Sequence, residues 1–277
     1  MDDDIKNLVE EIYFITGYDF RSYRPETFQR RISLRMMDTK CSTYQDYLIF
    51  LKNHPAEREP LVNSVTIKVS HFFRNPLVFE VLYNEVLPKV ITSKMSDKTP
   101  QLRIWFAGCA GGEEVYSTAI LIRELENKRF PGLKAFLLAT DIDRQALEFA
   151  RAGIYNEAAL TEVKKGYLDK YFQVEGKYYK VNKWIQEIVS FGYYDLVAAK
   201  VPSPPSGLFT NYDLIFCRNV LMYYNEPVNQ QIFKRLLGCL NNPGYIILGE
   251  AESLLPNAIN RLQEVYPKLR IYKNHHS

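Results

Sequence analysis

The residues with chemical potential in this chain of 277 residues gather at the ends of short apolar runs. Leu102–Phe106 runs into a glycine-rich turn, Gly108-Cys-Ala-Gly111-Gly112, and the stretch that follows opens with Glu113-Glu114. Ala135–Thr140 ends at Asp141, and Tyr212–Cys217 ends at Arg218-Asn219. Glycines let a backbone approach a ligand closely, but helix–strand packing needs them as often, and this spacing is not the GxGxxG of dinucleotide binders. Two carboxylates in the first turn of a helix suit its dipole, and they also make that terminus inhospitable to pyrophosphate. Asp141 stands where a carboxylate can grip a ribose diol. Asp143 is the better cap for a helix beginning at Arg144, which leaves Asp141 for a ligand.

Residues so scattered in sequence need a scaffold that brings the ends of separate runs to one edge. From about residue 76 the apolar runs alternate with helical stretches, Glu113–Leu125 after the first, Arg144–Ala152 after the second and another after Asn219. A fourth run, Tyr245–Leu248, follows the turn Asn241-Asn-Pro-Gly244. Short buried strands alternating with helices predict a parallel sheet covered on both faces, which binds ligands at the carboxyl ends of its strands. Tyr171–Val174 and Tyr178–Val181 flank Glu-Gly-Lys as a hairpin, and with Ile188–Phe191 they predict a small antiparallel insert over about residues 171–196. Residues 1–75 read differently. Ile5, Leu8, Val9, Ile12 and Ile15 mark one face of a helix over Asp4–Thr16, stopped by Gly17. Pro25 opens a second helix with Phe28, Ile32 and Met36 on one stripe, and a third lies near Thr43–Asn53, with Tyr44, Tyr47, Leu48 and Leu51. The expectation is a small helical domain (1–75) followed by an α/β domain (76–277). Its rim suits a nucleoside with hydroxyls and positive charge, and S-adenosylmethionine has that chemistry.

Composition removes several classes. A hydrophobic fraction of 47% with 24% charged residues is that of an ordinary folded protein. No apolar run approaches the roughly 18 residues of a membrane span, and Asp2-Asp3-Asp4 is the opposite of a secretory signal. Cys41, Cys109, Cys217 and Cys239 lack CxxC spacing and a nearby histidine cluster, which argues against structural zinc and a disulfide framework and fits a reducing cytoplasm; no metal site is expected. The net charge of +3 is too small to imply nucleic acid. Charge is segregated near the N-terminus, however. Residues 21–40 carry Arg21, Arg24, Arg30, Arg31, Arg35 and Lys40 against Glu26 and Asp38, while residues 1–20 are strongly acidic. The two segments can neutralise each other as neighbouring helices. Arg31 and Arg35, four apart on one helical face, can alternatively present a cationic strip to an acidic protein. Aromatics are not interleaved with these cations as stacking platforms for bases would be.

Taken in order, the motifs resemble those of the CheR-type chemotaxis receptor methyltransferases. Phe28-Gln-Arg-Arg-Ile-Ser-Leu-Arg35 resembles the family's basic second helix, and Val69-Ser-His-Phe-Phe-Arg74 its inter-domain segment. Trp105–Ser117 resembles the glycine-rich motif that ends in GEEPYS. Ala139-Thr-Asp-Ile-Asp143 with Gly153-Ile-Tyr155, and Phe216-Cys-Arg-Asn-Val-Leu-Met-Tyr223, resemble two further blocks. The resemblance implies a helical domain followed by a Rossmann-like methyltransferase domain that uses S-adenosylmethionine, with S-adenosylhomocysteine as product, to methylate glutamates on the cytoplasmic helical region of receptors. It implies neither nucleic acid nor membrane insertion.

By the same resemblance Glu114 and Asp141 hold the ammonium end and the ribose region of the cofactor, in some division between them. Gly108, Arg218 and Asn219 line its pocket, Asp195-Leu196 lies near the adenine, and Ser70 and Arg74 close over the methionine part. Arg74 and Tyr223 stand near the reacting groups, and Arg30, Arg31 and Arg35 meet the receptor. Three positions depart from the family pattern: Lys68 beside the cofactor where Asn is usual, Val115 for Pro, and Asp195 for Asn. Lys68 raises the alternative of a weakly active relative that binds cofactor or product as a signalling partner. The short loop Glu175-Gly-Lys177 implies that a receptor-tail pentapeptide is not used as a tether.

Overall fold

A computed structural model of the chain describes residues 3–66, 70–205, 207, 209–255 and 260–275. Contacts divide the chain into two units, Met1–Val69 with Met222–Asn229, and Ser70–Leu221 with Gln230–Ser277.

The first unit contains α1 (Asp3–Thr16), α2 (Pro25–Thr39), α3 (Tyr44–Asn53) and α4 (Arg58–Val65). Ile5, Leu8, Val9 and Ile12 of α1 are buried as their spacing requires, and Gly17 ends the helix at φ +77°, its N–H returning to the Tyr13 carbonyl. Pro25 begins α2, and Phe28 and Ile32 are its buried stripe. A reciprocal cap between Thr43 and Asp46 starts α3. Segment 222–229 joins this unit through a bridge between Tyr23 and Tyr224, and Arg24 donates from its backbone N–H to the Tyr223 carbonyl at 2.7 Å.

At the centre of the unit lies a buried carboxylate, that of Glu57. It accepts two bonds from the Arg35 guanidinium (2.9 and 2.7 Å) and one from the Tyr47 hydroxyl (2.8 Å). Burying a carboxylate without such partners would cost several kcal/mol, so α2 must give up a cation to it. This corrects the cationic strip expected of Arg31 and Arg35: Arg35 faces inward, Arg31 is half-buried, and Arg30 alone of the three is exposed.

The second unit opens with a helical run, α5 (Pro76–Val81), a π turn (Leu82–Val86) and α6 (Leu87–Lys94). Pro88 has no N–H to give the residue four back, and its ring crowds that carbonyl. The turn ahead of it is widened accordingly, with the Leu87 N–H bonding the Leu82 carbonyl five residues away. The α/β elements follow. They are β1 (Gln101–Ala107), α7 (Glu113–Lys128), β2 (Lys134–Asp141), α8 (Arg144–Ala152), β3 (Ile154–Asn156), α9 (Lys165–Tyr171), β4 (Phe172–Glu175) and β5 (Tyr178–Val181). After them come α10 (Lys183–Gln186), β6 (Val189–Tyr193), β7 (Tyr212–Cys217), α11 (Glu226–Gly238), β8 (Leu240–Leu248), β9 (Leu262–Tyr266) and β10 (Ile271–Asn274).

A seven-stranded sheet runs β6-β2-β1-β7-β8-β10-β9. Its first five strands are mutually parallel, as the alternation of runs and helices predicts, with Ile104 of β1 registered between Leu137 and Leu214. The all-parallel expectation fails at one end, where β10 is antiparallel to both β8 and β9. Nor is Asn241–Gly244 a turn: it lies within β8, where the pairing with β7 shifts register. The expected hairpin forms as β4 and β5, but its third partner is β3 rather than Ile188–Phe191. That stretch supplies β6, the edge of the large sheet, paired parallel to β2.

Because Arg35 compensates a buried charge and Arg30 does not, the two respond differently to truncation. Arg35→Ala should lower stability by about 3 kcal/mol in urea unfolding, whereas Arg30→Ala should change it by less than about 0.5 kcal/mol.

Candidate functional site

Five parallel strands end along one edge of the sheet, and Gly108, Asp141, Arg218 and Asn219 follow the ends of three of them. The first turn is shaped by strand β2: the N–H groups of Gly108 and Cys109 both bond the Thr140 carbonyl, at 2.8 and 3.0 Å. The Asp141 carboxylate then accepts the Ala110 N–H at 2.8 Å and the Asp143 N–H at 2.9 Å. Asp143 caps α8 as expected, bonding the N–H groups of Gln145 and Ala146. Asp141 is therefore not left wholly to a ligand. It first holds the glycine turn, and each of its oxygens keeps a second lone pair for a hydroxyl. Burial pushes its carboxyl above the usual range, opposed by those backbone N–H groups.

The glycines serve packing. A Cβ on Gly108 (φ +86°) would stand 2.4 Å from Val220 Cγ2, and one on Gly112 (φ +86°) would stand 2.9 Å from the Ala150 Cβ. One on Gly111 would meet the Glu113 carboxyl at 2.8 Å. Protein atoms thus fill the space each missing side chain leaves, and Tyr155 completes the turn by donating to the Gly111 carbonyl at 2.6 Å.

The two glutamates that open α7 differ. Glu114 pairs with Arg218, whose side chain is only 3% exposed and also donates to the Asn75 Oδ1 at 2.7 Å and the Arg74 carbonyl at 3.5 Å. Glu113 is buried, with one carboxyl oxygen left unpartnered; burial pushes its pKa up to about 7, against backbone hydrogen bonding and a bond with Ser70.

Arg74 is reached through a contorted but anchored segment. Phe73 and Asn75 have φ of +55° and +62°. The Phe72 N–H bonds the Ala159 carbonyl at 2.9 Å, and the Phe73 N–H bonds the Ser117 hydroxyl at 2.9 Å. Phe72 packs edge-on against Tyr155 and Phe172. The structure thus brings Ser70, Arg74, Gly108, Glu114, Asp141 and Arg218 into one bonded group of segments.

Asn219 follows with φ +60°, its N–H held by Glu252, a residue that sequence reasoning missed. The only clue was a carboxylate just after the apolar run Tyr245–Leu248, since nothing in the sequence marks Glu252 as buried. Asp195 turns on itself, accepting the Val197 and Ala198 N–H groups at 2.7 and 2.9 Å. Arg235 of α11 fixes this loop through the carbonyls of Leu196 and Ala199. Tyr223 belongs to the first unit, where its ring stacks on Tyr23 with centroids 6.1 Å apart. Lys68, expected beside the cofactor, lies outside the described residues. Among the described residues no group of His, Cys, Asp or Glu could hold a metal ion.

Glu113 yields a pH dependence whose sign is fixed. Its folded pKa of about 7 lies above the ordinary 4.5, so the folded state retains a proton that the unfolded chain releases. Stability therefore falls as pH rises from about 4.5 to about 7, by on the order of 3 kcal/mol at most. Glu113→Gln should flatten the fall in melting temperature between pH 5 and pH 8; an unchanged slope would show that the carboxyl is already ionised.

The rim can hold hydroxyls on carboxylate oxygens, and its charged Arg218–Glu114 pair and raised carboxyls leave no cationic cradle for a polyphosphate. Known proteins agree. Residues 68–268 match the family described as CheR methyltransferase, SAM binding domain, and residues 3–66 match CheR methyltransferase, all-alpha domain. A chemotaxis protein methyltransferase of Borreliella burgdorferi is 27% identical over 92% of this chain and 89% of its own length. Chemotaxis protein methyltransferase 1 of Pseudomonas aeruginosa is 33% identical over 74% of each chain. A 104.1 kDa protein of Rhodobacter capsulatus is 32% identical over 89% of this chain, which spans a quarter of that longer protein. With both of its domains matched in this order over nearly the whole length, the chain belongs to the CheR family of S-adenosylmethionine-dependent methyltransferases.

Proposed function

We propose that the chain methylates glutamate side chains of chemotaxis receptors in the cytoplasm. The observation that supports this most is the anchoring of the Arg74 segment onto the cofactor rim, through Phe73 on α7 and through Arg218 beneath the Arg74 carbonyl. The bonds fix the backbone that carries Arg74, and a guanidinium is a side chain suited to a carboxylate acceptor, which it can fix bidentately.

The chemistry asks little more of the protein. A glutamate with a pKa of about 4.3 is ionised by roughly 500 to 1 at pH 7, so no general base is required. The cofactor supplies a methyl group activated by its sulfonium. The remaining work is alignment and exclusion of water, and this chain's residues divide it. Asp141 takes the ribose hydroxyls, and Glu114, held by Arg218, takes the ammonium. Gly108 and Asn219 present backbone and amide to the pocket, with Asp195-Leu196 beside the adenine and Ser70 near the methionine part. Arg74 holds the acceptor carboxylate, and Tyr223 is assigned to orient it without adding charge.

For the receptor, the exposed Arg30 and the half-buried Arg31 of α2 are the cations left to meet an acidic helical partner, Arg35 being committed to Glu57. The β4–β5 turn has only Gly176 and Lys177 between the paired Glu175 and Tyr178. So short a turn supports docking without a receptor-tail pentapeptide. No helix among the described residues is long and apolar enough to cross a membrane.

Transfer of labelled methyl groups into base-labile esters on receptor-containing membranes tests this reading. The wild-type chain should label, Arg74→Ala should abolish labelling, and Tyr223→Phe should lower it by at least about a hundredfold while S-adenosylhomocysteine affinity changes less than about threefold. Truncating the receptor tail should leave the rate unchanged. Equal labelling by both variants would overturn the role assignment, and a wild-type chain that binds cofactor but never labels would favour a signalling relative.

A further inference from the structure

The carboxylate of Glu252 is buried where β8 ends, and it is surrounded by backbone N–H groups. Its Oε2 accepts from Gly249 at 2.7 Å and Asn219 at 3.0 Å; its Oε1 accepts from Val220 at 2.8 Å and Leu221 at 2.7 Å. Successive N–H groups converging in this way make a concavity that binds anions, and here the anion is built into the chain. Three of the four donors belong to the loop that leaves β7, the loop that carries Arg218 and Asn219.

We infer that Glu252 is a positioning residue of the cofactor site, setting the Arg218–Leu221 loop by its backbone. Asn219 sits at φ +60°, in the left-handed region that asparagine enters more readily than most residues but that its surroundings must still select. The bonds to Glu252 impose it. They also fix Val220, whose methyl presses on the space left by Gly108, so the loop after β7 and the turn after β1 are shaped together. Gly249 has no Cβ because one would stand 2.8 Å from both the Asn219 nitrogen and Glu252 Oε2. With the concavity already filled, an external phosphate finds no N–H groups there to bind.

The inference rests on the cofactor reading above, and the test separates the two. Titration with S-adenosylhomocysteine at 20 °C, far below melting, compares the wild-type chain with Glu252→Gln and Gly249→Ala. The glutamine loses two of the four bonds whichever way its amide turns, and the alanine displaces the carboxylate without removing it. Both should stay folded by near-ultraviolet circular dichroism and bind about ten- to a hundredfold more weakly. Wild-type affinity in folded variants would overturn the inference while leaving the cofactor reading intact; a wild-type chain that does not bind would overturn both. Amide exchange of the unaltered protein decides the matter if neither variant folds. Adding S-adenosylhomocysteine should slow Asn219, Val220 and Leu221 at least about tenfold more than the central strands, and equal slowing would overturn the inference.

Discussion

A guanidinium shut away from water must be compensated on the spot, and Arg218 imposes that condition on the whole rim. Its three partners come from two places: Glu114 from the first turn of α7, and Asn75 and the Arg74 carbonyl from the segment ahead of α5. Withdrawing any of them leaves a buried charge short of bonds. The positive-φ conformations of Phe73 and Asn75 are tolerable for this reason, being over-determined by bonds to Ala159, Ser117 and Arg218. The strained stretch that carries Arg74 is held from both sides.

Four carboxylates crowd the same edge, and their surroundings separate their tasks. Glu114 is neutralised by an arginine, Glu113 is pressed toward its protonated form, Glu252 is spent on backbone N–H groups, and Asp141 braces the glycine turn with lone pairs to spare. A rim whose carboxylates look alike in sequence thus holds one ion-paired group and three whose surroundings raise their pKa. The backbone N–H groups that converge after β7 are already occupied by the protein's own carboxylate, that of Glu252.

Much of this was legible because period and punctuation agreed. The helices of the first unit followed the spacing of Leu8, Ile12, Phe28 and Leu51, and the parallel strands followed apolar runs closed by Gly108, Asp141 and Arg218. What escaped detection lacked such signals. β3 is three residues long, β9 and β10 mix charged residues into their apolar positions, and α4 and α6 each contain a proline that reads as a breaker. Ile188–Phe191 was seen as a strand but given to the wrong sheet, because a strand's own residues do not say which neighbour it will pair with. The inward turn of Arg35 was hidden for a similar reason: its partner, Glu57, is far off in sequence and carries no mark of burial.

The widened turn before Pro88 has a geometric effect of its own. Leu82, Val86 and Val90 recur every fourth residue, a spacing that would drift steadily around a regular helix by about 40° at each step. One over-long turn absorbs that drift, so all three reach the same core. A proline that would ordinarily break the rod serves instead to phase it.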